Sequence, residues 1–346
     1  MRLLLVFPGA LFSTIDLANG YGRAFKRMED VKLFTFQYHK ALVYHDYAQK
    51  LMFGKEFDQD NVIRAASKDL LVRILECRPD WVLFISGIAF PTFVWDYIKQ
   101  LQGDLRNSFK TAVLLTESPY VEEWEKGIIQ RVDTVFTTDY GIIEDYKPIN
   151  PNISYVRHCY DQEIHYPGSG RPIDMFFVAT GFPERQRLLE GVDWTGIGLE
   201  LYGNWMYNTS SSKLTQFLKG ENIENSLAAE KYRQAKLSLN IFRTVQWPEE
   251  SPKFIEPNKG KSLSPRCYEA MACGSTLLTD WREELETLSS DSYALWGGSE
   301  ELEEKSRWLL SHDEERNRIA ENGTRAIQGQ TFDARALKVL ERLKEQ

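Results

Sequence analysis

Short unbroken apolar runs alternate along this chain with stretches in which apolar residues recur every three or four positions. Residues 3–7 (L-L-L-V-F), stopped by Pro8-Gly9, read as a strand buried on both faces. Ser13-Thr14, with Asp16 behind them, open a helix to about residue 28. A strand is predicted at 31–36. Val62, Ala66, Leu70 and Ile74 set a helical spacing over 61–77, and Arg78-Pro79 stop it. Strands at 81–86, 112–116 and 134–138 then alternate with helices at 92–102 and 122–130. This βαβ rhythm predicts a parallel sheet with helices on both faces.

The rhythm breaks at Y-P-G-S-G-R-P (166–172), where proline and glycine cluster as in a linker, and then restarts. Strands are predicted at 175–179, 199–202, 237–242 and 276–279. Helices are predicted up to 190, through 232–235, and at 266–272 and 300–310. The tail 333–344 is amphipathic on Ala336, Leu337, Leu340 and Leu343. The pattern is that of two α/β domains in tandem with a cleft between them.

Composition narrows the partners. Hydrophobic residues make up 42% of the 346, enough for two cores. A formal charge of −8 argues against a protein that lives on the DNA backbone or on an anionic membrane, without excluding a local basic groove. The four cysteines form no C-x-x-C pair, fit neither a zinc site nor a disulfide framework, and point to a reducing cytosol. The first apolar run is cut short by Pro8-Gly9, and no stretch reaches the ~20 apolar residues of a membrane span, so a cytoplasmic chain without membrane insertion is expected. P-loop, G-x-G-x-x-G, H-E-x-x-H and G-x-S-x-G motifs are absent. The D-Q-D at 58–60 reads as an N-cap cluster rather than a metal-binding D-x-D.

Open parallel sheets bind ligands at the carboxyl ends of their strands, which nominates specific residues. Asp16 is either the partner in a capping box or a catalytic acid. Glu117 directly follows an apolar strand and heads E-S-P-Y; it is either a cleft carboxylate or a solvated loop acid. Asp139 ends the next strand. Thr180-Gly181 end a strand and open a helix, either as a phosphate cradle or as a tight turn. Arg185 opposes the helix dipole one turn later, which suggests an anionic ligand or a surface salt bridge. Gly203 and Arg243 end further strands. In S-P-R-C-Y-E-A-M-A-C-G (264–274), small residues bring a helix close to the sheet and pin Glu269 where a carboxylate can take two ribose hydroxyls, with Arg266 one turn earlier.

These strings carry a resemblance. S-T-I-D-L-A-N-G-Y (13–21), T-E-S-P-Y (116–120), V-F-T-T-D (135–139), F-V-A-T-G-F-P-E-R (177–185), L-Y-G-N-W (201–205), L-N-I-F-R (239–243) and R-C-Y-E-A-M-A-C-G (266–274) fall in one order. In them the chain resembles a glycosyltransferase of the GT-B architecture. It is most similar to the CgeB-like (spore-maturation) group, whose C-terminal part is a "glycosyl transferases group 1" domain. The resemblance implies two Rossmann-like domains with parallel sheets facing a central cleft. Residues 1–168 would bind the acceptor, 169–330 the nucleotide-sugar, and a final helix at 331–346 would cross back to the first domain. It also implies that Glu269 binds the donor ribose, that Arg185, Arg243 and Arg266 hold the diphosphate, and that neither metal nor cofactor is needed. One position departs: many relatives place a second glutamate eight residues before the ribose-binding one, and here Lys261 stands there.

The expected reaction moves a sugar from a nucleotide diphosphate, with a UDP-sugar as first choice, to a hydroxyl. Cations and strand-end amides near Thr180, Gly181, Arg185, Gly203, Arg243 and Arg266 would stabilise the leaving diphosphate. In an inverting course Glu117 or Asp16, with Asp139 third, would take the acceptor proton. The acceptor is a glycan, a protein, a small molecule, or a hydroxylated base in phage-type DNA. For DNA, the aromatics Phe12, Tyr21, Phe90, Trp95, Tyr120 and Trp124 would receive a flipped base; otherwise they are core. A non-catalytic nucleotide-sugar-binding protein is the other alternative.

Overall fold

The computed structural model describes residues 1–9, 14–54, 58–104, 109–205, 212–244 and 259–346. Phe12 and Ser13, named above, lie outside the described residues. The chain divides into two units, each built on a six-stranded parallel sheet. Among the described residues, the first unit contains those of 1–157 and 332–346, and the second those of 158–244 and 259–331. The stretch 166–172, read from its prolines and glycines as a linker, therefore lies inside the second unit.

In the first unit β1 (Arg2–Phe7), α1 (Thr14–Arg27), β2 (Lys32–Gln37), α2 (Tyr38–Phe53), α3 (Gln59–Cys77), β3 (Trp81–Ile85), α4 (Thr92–Asp104), β4 (Lys110–Leu115), α5 (Glu122–Ile129), β5 (Thr134–Thr137), α6 (Ile143–Tyr146) and β6 (Ile153–Tyr155) follow in order. The spatial order is β2-β1-β3-β4-β5-β6, so the direction of winding reverses between β1 and β3. The continuous apolar runs become the central strands: every residue of β3 is buried, whereas the edge strand β2 is half exposed. Asp58 caps α3 by accepting from the Asp60 amide at 2.9 Å, so the D-Q-D acids do terminate a helix. Leu4, Val6, Val82, Phe84, Val113 and Leu115 fill one face of the sheet.

The second unit runs β7 (Ile173–Val178), α7 (Pro183–Glu190), β8 (Leu199–Tyr202), α8 (Ser212–Thr215), β9 (Leu218–Gly220), α9 (Asn225–Gln234), β10 (Ala235–Asn240), α10 (Pro265–Ala272), β11 (Thr276–Thr279), β12 (Ala294–Leu295), α11 (Ser299–Ser311) and α12 (Asp313–Ala326). Its order, β12-β11-β10-β7-β8-β9, puts the switch point between β7 and β10. Apolar clusters cover both faces of the sheet, one around Met175, Phe177 and Leu201, the other around Phe176, Tyr232 and Met271.

The last helix, α13 (Phe332–Lys344), belongs to the first unit and lies on α1. Gly20 makes this approach possible, because a Cβ there would run into the Phe332 ring. Phe332 also meets Tyr21 edge-to-face at 5.4 Å, and Arg335 Nε donates to the Arg157 carbonyl at 2.9 Å.

Two of the longer helices, α2 and α12, are absent from the sequence reading. α2 keeps Val43, Tyr44, Tyr47 and Leu51 65–69% exposed, so apolar residues face outward and blur its period. In α12 the buried positions include Arg316, Ala320 and Gly323, which carry little apolar signal. β10 starts and ends two residues earlier than the predicted 237–242. All four cysteines are buried and none is in a disulfide. No helix among the described residues is long and apolar enough to cross a membrane.

Candidate functional site at the strand ends

The second sheet concentrates arginine at its carboxyl edge. Beyond β7, Thr180 and Gly181 turn the chain into α7, where Pro183 pre-sets the first turn. Arg185 then folds back under that turn: Nη1 donates to the Thr180 carbonyl at 2.9 Å and Nη2 to the Ile241 carbonyl at 2.7 Å. It is 3% exposed, so Arg185 is a buried residue and not a surface one. The arginine acts as a strut across the switch point, joining the ends of β7 and β10. Its guanidinium lies 5.2 Å from the Phe182 ring centre, and that of Arg243 lies 4.6 Å from the same ring.

Asp280, at the end of β11, completes this corner. Both its oxygens accept from the Phe242 amide, at 3.0 and 3.1 Å. Burial pushes its carboxyl up to about 6, against the opposing pull of that amide, Arg282 and Arg185. Arg282 is buried; it donates to the Gly260 carbonyl and, at 3.0 Å, to the Arg243 carbonyl. Gly203 closes β8 at φ +111°, where an added Cβ would collide with the Ala179 carbonyl, so only glycine fits.

Around α10, Asn240 is the organiser. Its Oδ1 accepts from Ser264 Oγ at 3.0 Å and from Arg266 Nε at 3.2 Å, while its Nδ2 donates to Thr279 Oγ1 at 3.0 Å. Arg266 is thus aimed by a fully buried amide. Glu269 sits half-buried on α10, and its charge helps burial hold the Tyr232 hydroxyl well above the usual tyrosine range. Lys261 pairs with Glu283 at 2.9 Å, while the buried Glu284 holds the neighbouring backbone through the Leu263 amide and Tyr268.

The first sheet concentrates acids at its own carboxyl edge. Glu117 follows β4 and is half-buried; Tyr120 N–H donates to its carbonyl at 2.8 Å, closing a turn. Thr138 donates from both its amide and its hydroxyl to the Leu115 carbonyl, which binds the ends of β4 and β5 together. Asp139 is buried and accepts from the Gly141 amide at 2.8 Å, so its side chain caps the turn at Tyr140–Ile142. Asp16 lies in the first turn of α1, beyond β1; Ser13, its expected capping partner, lies outside the described residues. Of the aromatics proposed to receive a base, Tyr21, Phe90 and Trp95 are core, Tyr120 is half-buried and Trp124 is 42% exposed.

Sequence reasoning missed Asn240, Asp280 and Arg282, whose partners lie 22–39 residues away in the chain. It also missed Glu125, although Val121, Glu125, Ile128 and Ile129 share the spacing of one helix face.

Residues 185–341 match the family model described as "Glycosyl transferase-like". No curated protein matches the chain. Among solved structures it is similar to a sucrose-phosphate synthase from Thermosynechococcus elongatus (13% identity, TM-score 0.66, covering 99% of this chain and 98% of that one). It is also similar to HepE of Anabaena, solved with UDP-glucose (12%, TM-score 0.63, 100% of both chains). A third is an alpha-glucosyltransferase solved with UDP (12%, TM-score 0.66, 100% of both). The fold is GT-B, and its second unit carries the glycosyl transferase-like match.

Proposed function

We propose that the chain transfers a sugar from a UDP-sugar to a hydroxyl acceptor without a bound metal, and that it belongs to the CgeB-like group of such enzymes. The observation that carries this reading is the arginine corner at the β7–β10 switch point, where parallel sheets bind nucleotides. In the transfer, the bond from the sugar's anomeric carbon to the diphosphate oxygen breaks and a bond to the acceptor oxygen forms. Negative charge grows on the departing diphosphate. Arg243 and Arg266 contact it there beside the Thr180-Gly181 turn and Gly203, and Arg185 braces the turn and adds its charge. Glu269 takes the ribose hydroxyls. In an inverting course Glu117 accepts the acceptor proton, while Asp16 and the capping Asp139 stand behind it. HepE with UDP-glucose and the alpha-glucosyltransferase with UDP favour uridine over other bases.

A second reading takes DNA as the acceptor. It is favoured by a structural neighbour, an alpha-glucosyltransferase in complex with UDP and a 13-mer DNA containing an HMU base (12% identity, TM-score 0.64). A gel shift on a hydroxymethylated duplex at graded salt distinguishes it from a glycan, protein or small-molecule acceptor.

The test is a thermal-shift panel with UDP, GDP, TDP, CDP and ADP. UDP at 100 times its dissociation constant adds about 2.7 kcal/mol of stability. Glu269→Ala weakens UDP binding about 10- to 100-fold, as expected for losing hydrogen bonds to a charged group. No shift with any nucleotide, or unchanged UDP affinity in Glu269→Ala, defeats the corresponding assignment.

A further inference from the structure

Beneath the loop that carries Glu117 lies a carboxylate that the proposed reaction leaves unused. Glu125 projects from α5 on the helix's apolar stripe and is 0% exposed. Ser118 Oγ donates to it, 2.9 Å from Oε1 and 2.8 Å from Oε2, and Tyr146 Oη donates to Oε2 at 2.7 Å. Ser118, also buried, is the residue immediately after Glu117, and the fully buried Tyr146 ends α6. One carboxylate thereby ties the Glu117 loop to two helices.

A buried carboxylate is costly unless its charge is met by hydrogen bonds. The charged groups facing this one are Glu117 from the loop, Glu122 from its own helix and, through Tyr146, Asp145 of α6. Lys126 is engaged with Glu122 at 3.9 Å. Burial first, then Glu117 and Glu122, push the Glu125 carboxyl up to about 7, against the pull of Tyr146 and Ser118. The ionised carboxylate accepts all of these contacts. When protonated, the carboxyl can turn its own O–H toward Ser118 Oγ, a hydroxyl that accepts as well as donates, while Tyr146 still donates, so both partners keep their places in either state.

We propose that Glu125 is the positioning residue of Glu117: through Ser118 and Tyr146 it holds the loop at residues 116–120 in place. The proposal rests on the reading of Glu117 as the group that takes the acceptor proton. The hold acts on transfer through the order of the loop and without change at the donor site.

Two measurements on the full chain at pH 8 test this, each on the wild type, Glu125→Gln and Ser118→Ala. The first is hydrogen exchange at the Tyr120 amide, corrected for intrinsic rate; this amide reports the loop because it donates to the Glu117 carbonyl. Protection should fall about tenfold or more in both variants. The second is UDP release from UDP-glucose with water as acceptor. In both variants kcat should be down about tenfold or more, with KM within twofold. Equal Tyr120 protection and equal kcat in all three proteins overturn the proposal. If Glu125→Gln does not fold, Ser118→Ala decides, because it cuts the tether and leaves the buried carboxylate with Tyr146. Glu117→Gln is measured alongside: full turnover there defeats the Glu117 reading. Its loss, with Glu125→Gln unaffected, defeats only the present proposal. If UDP-glucose is not turned over, the donor reading fails and the exchange measurement still decides whether Glu125 holds the loop.

Discussion

Beyond the carboxyl ends of its strands the first unit carries Glu117 and Asp139, with Glu125 buried on α5 beneath the Glu117 loop, whereas the second carries Arg185, Arg243, Arg266, Arg282 and Asp280. The backbone geometry is the same in both: parallel strands delivering their last residues to one edge. The sign of the charge differs, and so does the way each edge is braced. The arginines of the second edge are fixed largely by carbonyl and amide oxygens, which hold a cation without cancelling it. In the first edge Glu125 is held by two hydroxyls, which likewise leave its charge in place. A cationic edge suits a leaving diphosphate, and an acidic edge suits proton removal.

The largest effect that would break this division is expected at Glu117. Glu117→Gln keeps the shape and removes the proposed base, and should slow UDP release from UDP-glucose by about 100- to 10,000-fold while UDP affinity stays within twofold. Kinetics with calorimetric UDP titration checks both halves. A parallel loss of UDP affinity would mean that the acidic edge also holds the donor, and the comparison would collapse.

The strand ends were readable because apolar runs and their punctuation are local. β1, β3, β4 and β7 each contain an unbroken apolar run closed by proline or a polar residue, and that closure pointed to Glu117 and Thr180. The bracing was not readable, because it depends on which distant segments meet. Arg185 illustrates this. Its position near a helix N-terminus suggested a charge seeking an anion, but its guanidinium is turned inward to Ile241, 56 residues on. Asn240 gave no signal at all until Ser264, Arg266 and Thr279 converged on it. Glu125 was the exception, an acid written into an apolar stripe where the pattern itself marked it.

A middle-sized effect sharpens the comparison, since each edge holds an acid whose carboxyl burial has pushed up: Glu125 from 4.5 to about 7 and Asp280 from 3.8 to about 6. In both the folded state keeps a proton that the unfolded chain releases. Stability is therefore highest below the unfolded values, and it falls as pH rises through about 4.5–7 for Glu125 and about 4–6 for Asp280. For Glu125 the loss is about 3 kcal/mol, at 1.36 kcal/mol per pH unit. Glu125→Gln should remove that slope, so that in urea unfolding at pH 8 the variant is at least as stable as the wild type although slower. Asp280→Asn should remove a smaller slope at lower pH. A wild-type stability that stays level from pH 4 to 8 would show that neither acid is held protonated by the fold.

The smallest effect is expected at Lys261, where the chain departs from the glutamate of many relatives. Its pair with Glu283 is made by side chains that are 36% and 40% exposed, and water screens such a pair heavily. Lys261→Ala should change stability by no more than about 0.5 kcal/mol in urea unfolding. The neighbouring backbone does not depend on the lysine side chain, because the buried Glu284 holds the Leu263 amide at 2.5 Å and Tyr268 at 3.1 Å. UDP affinity should also stay within twofold, since the pair with Glu283 turns this cation away from the role of a free phosphate contact. A loss of UDP affinity greater than about tenfold in Lys261→Ala would instead enrol Lys261 among the cations of the basic edge, and the departure from the family pattern would then be an added donor contact.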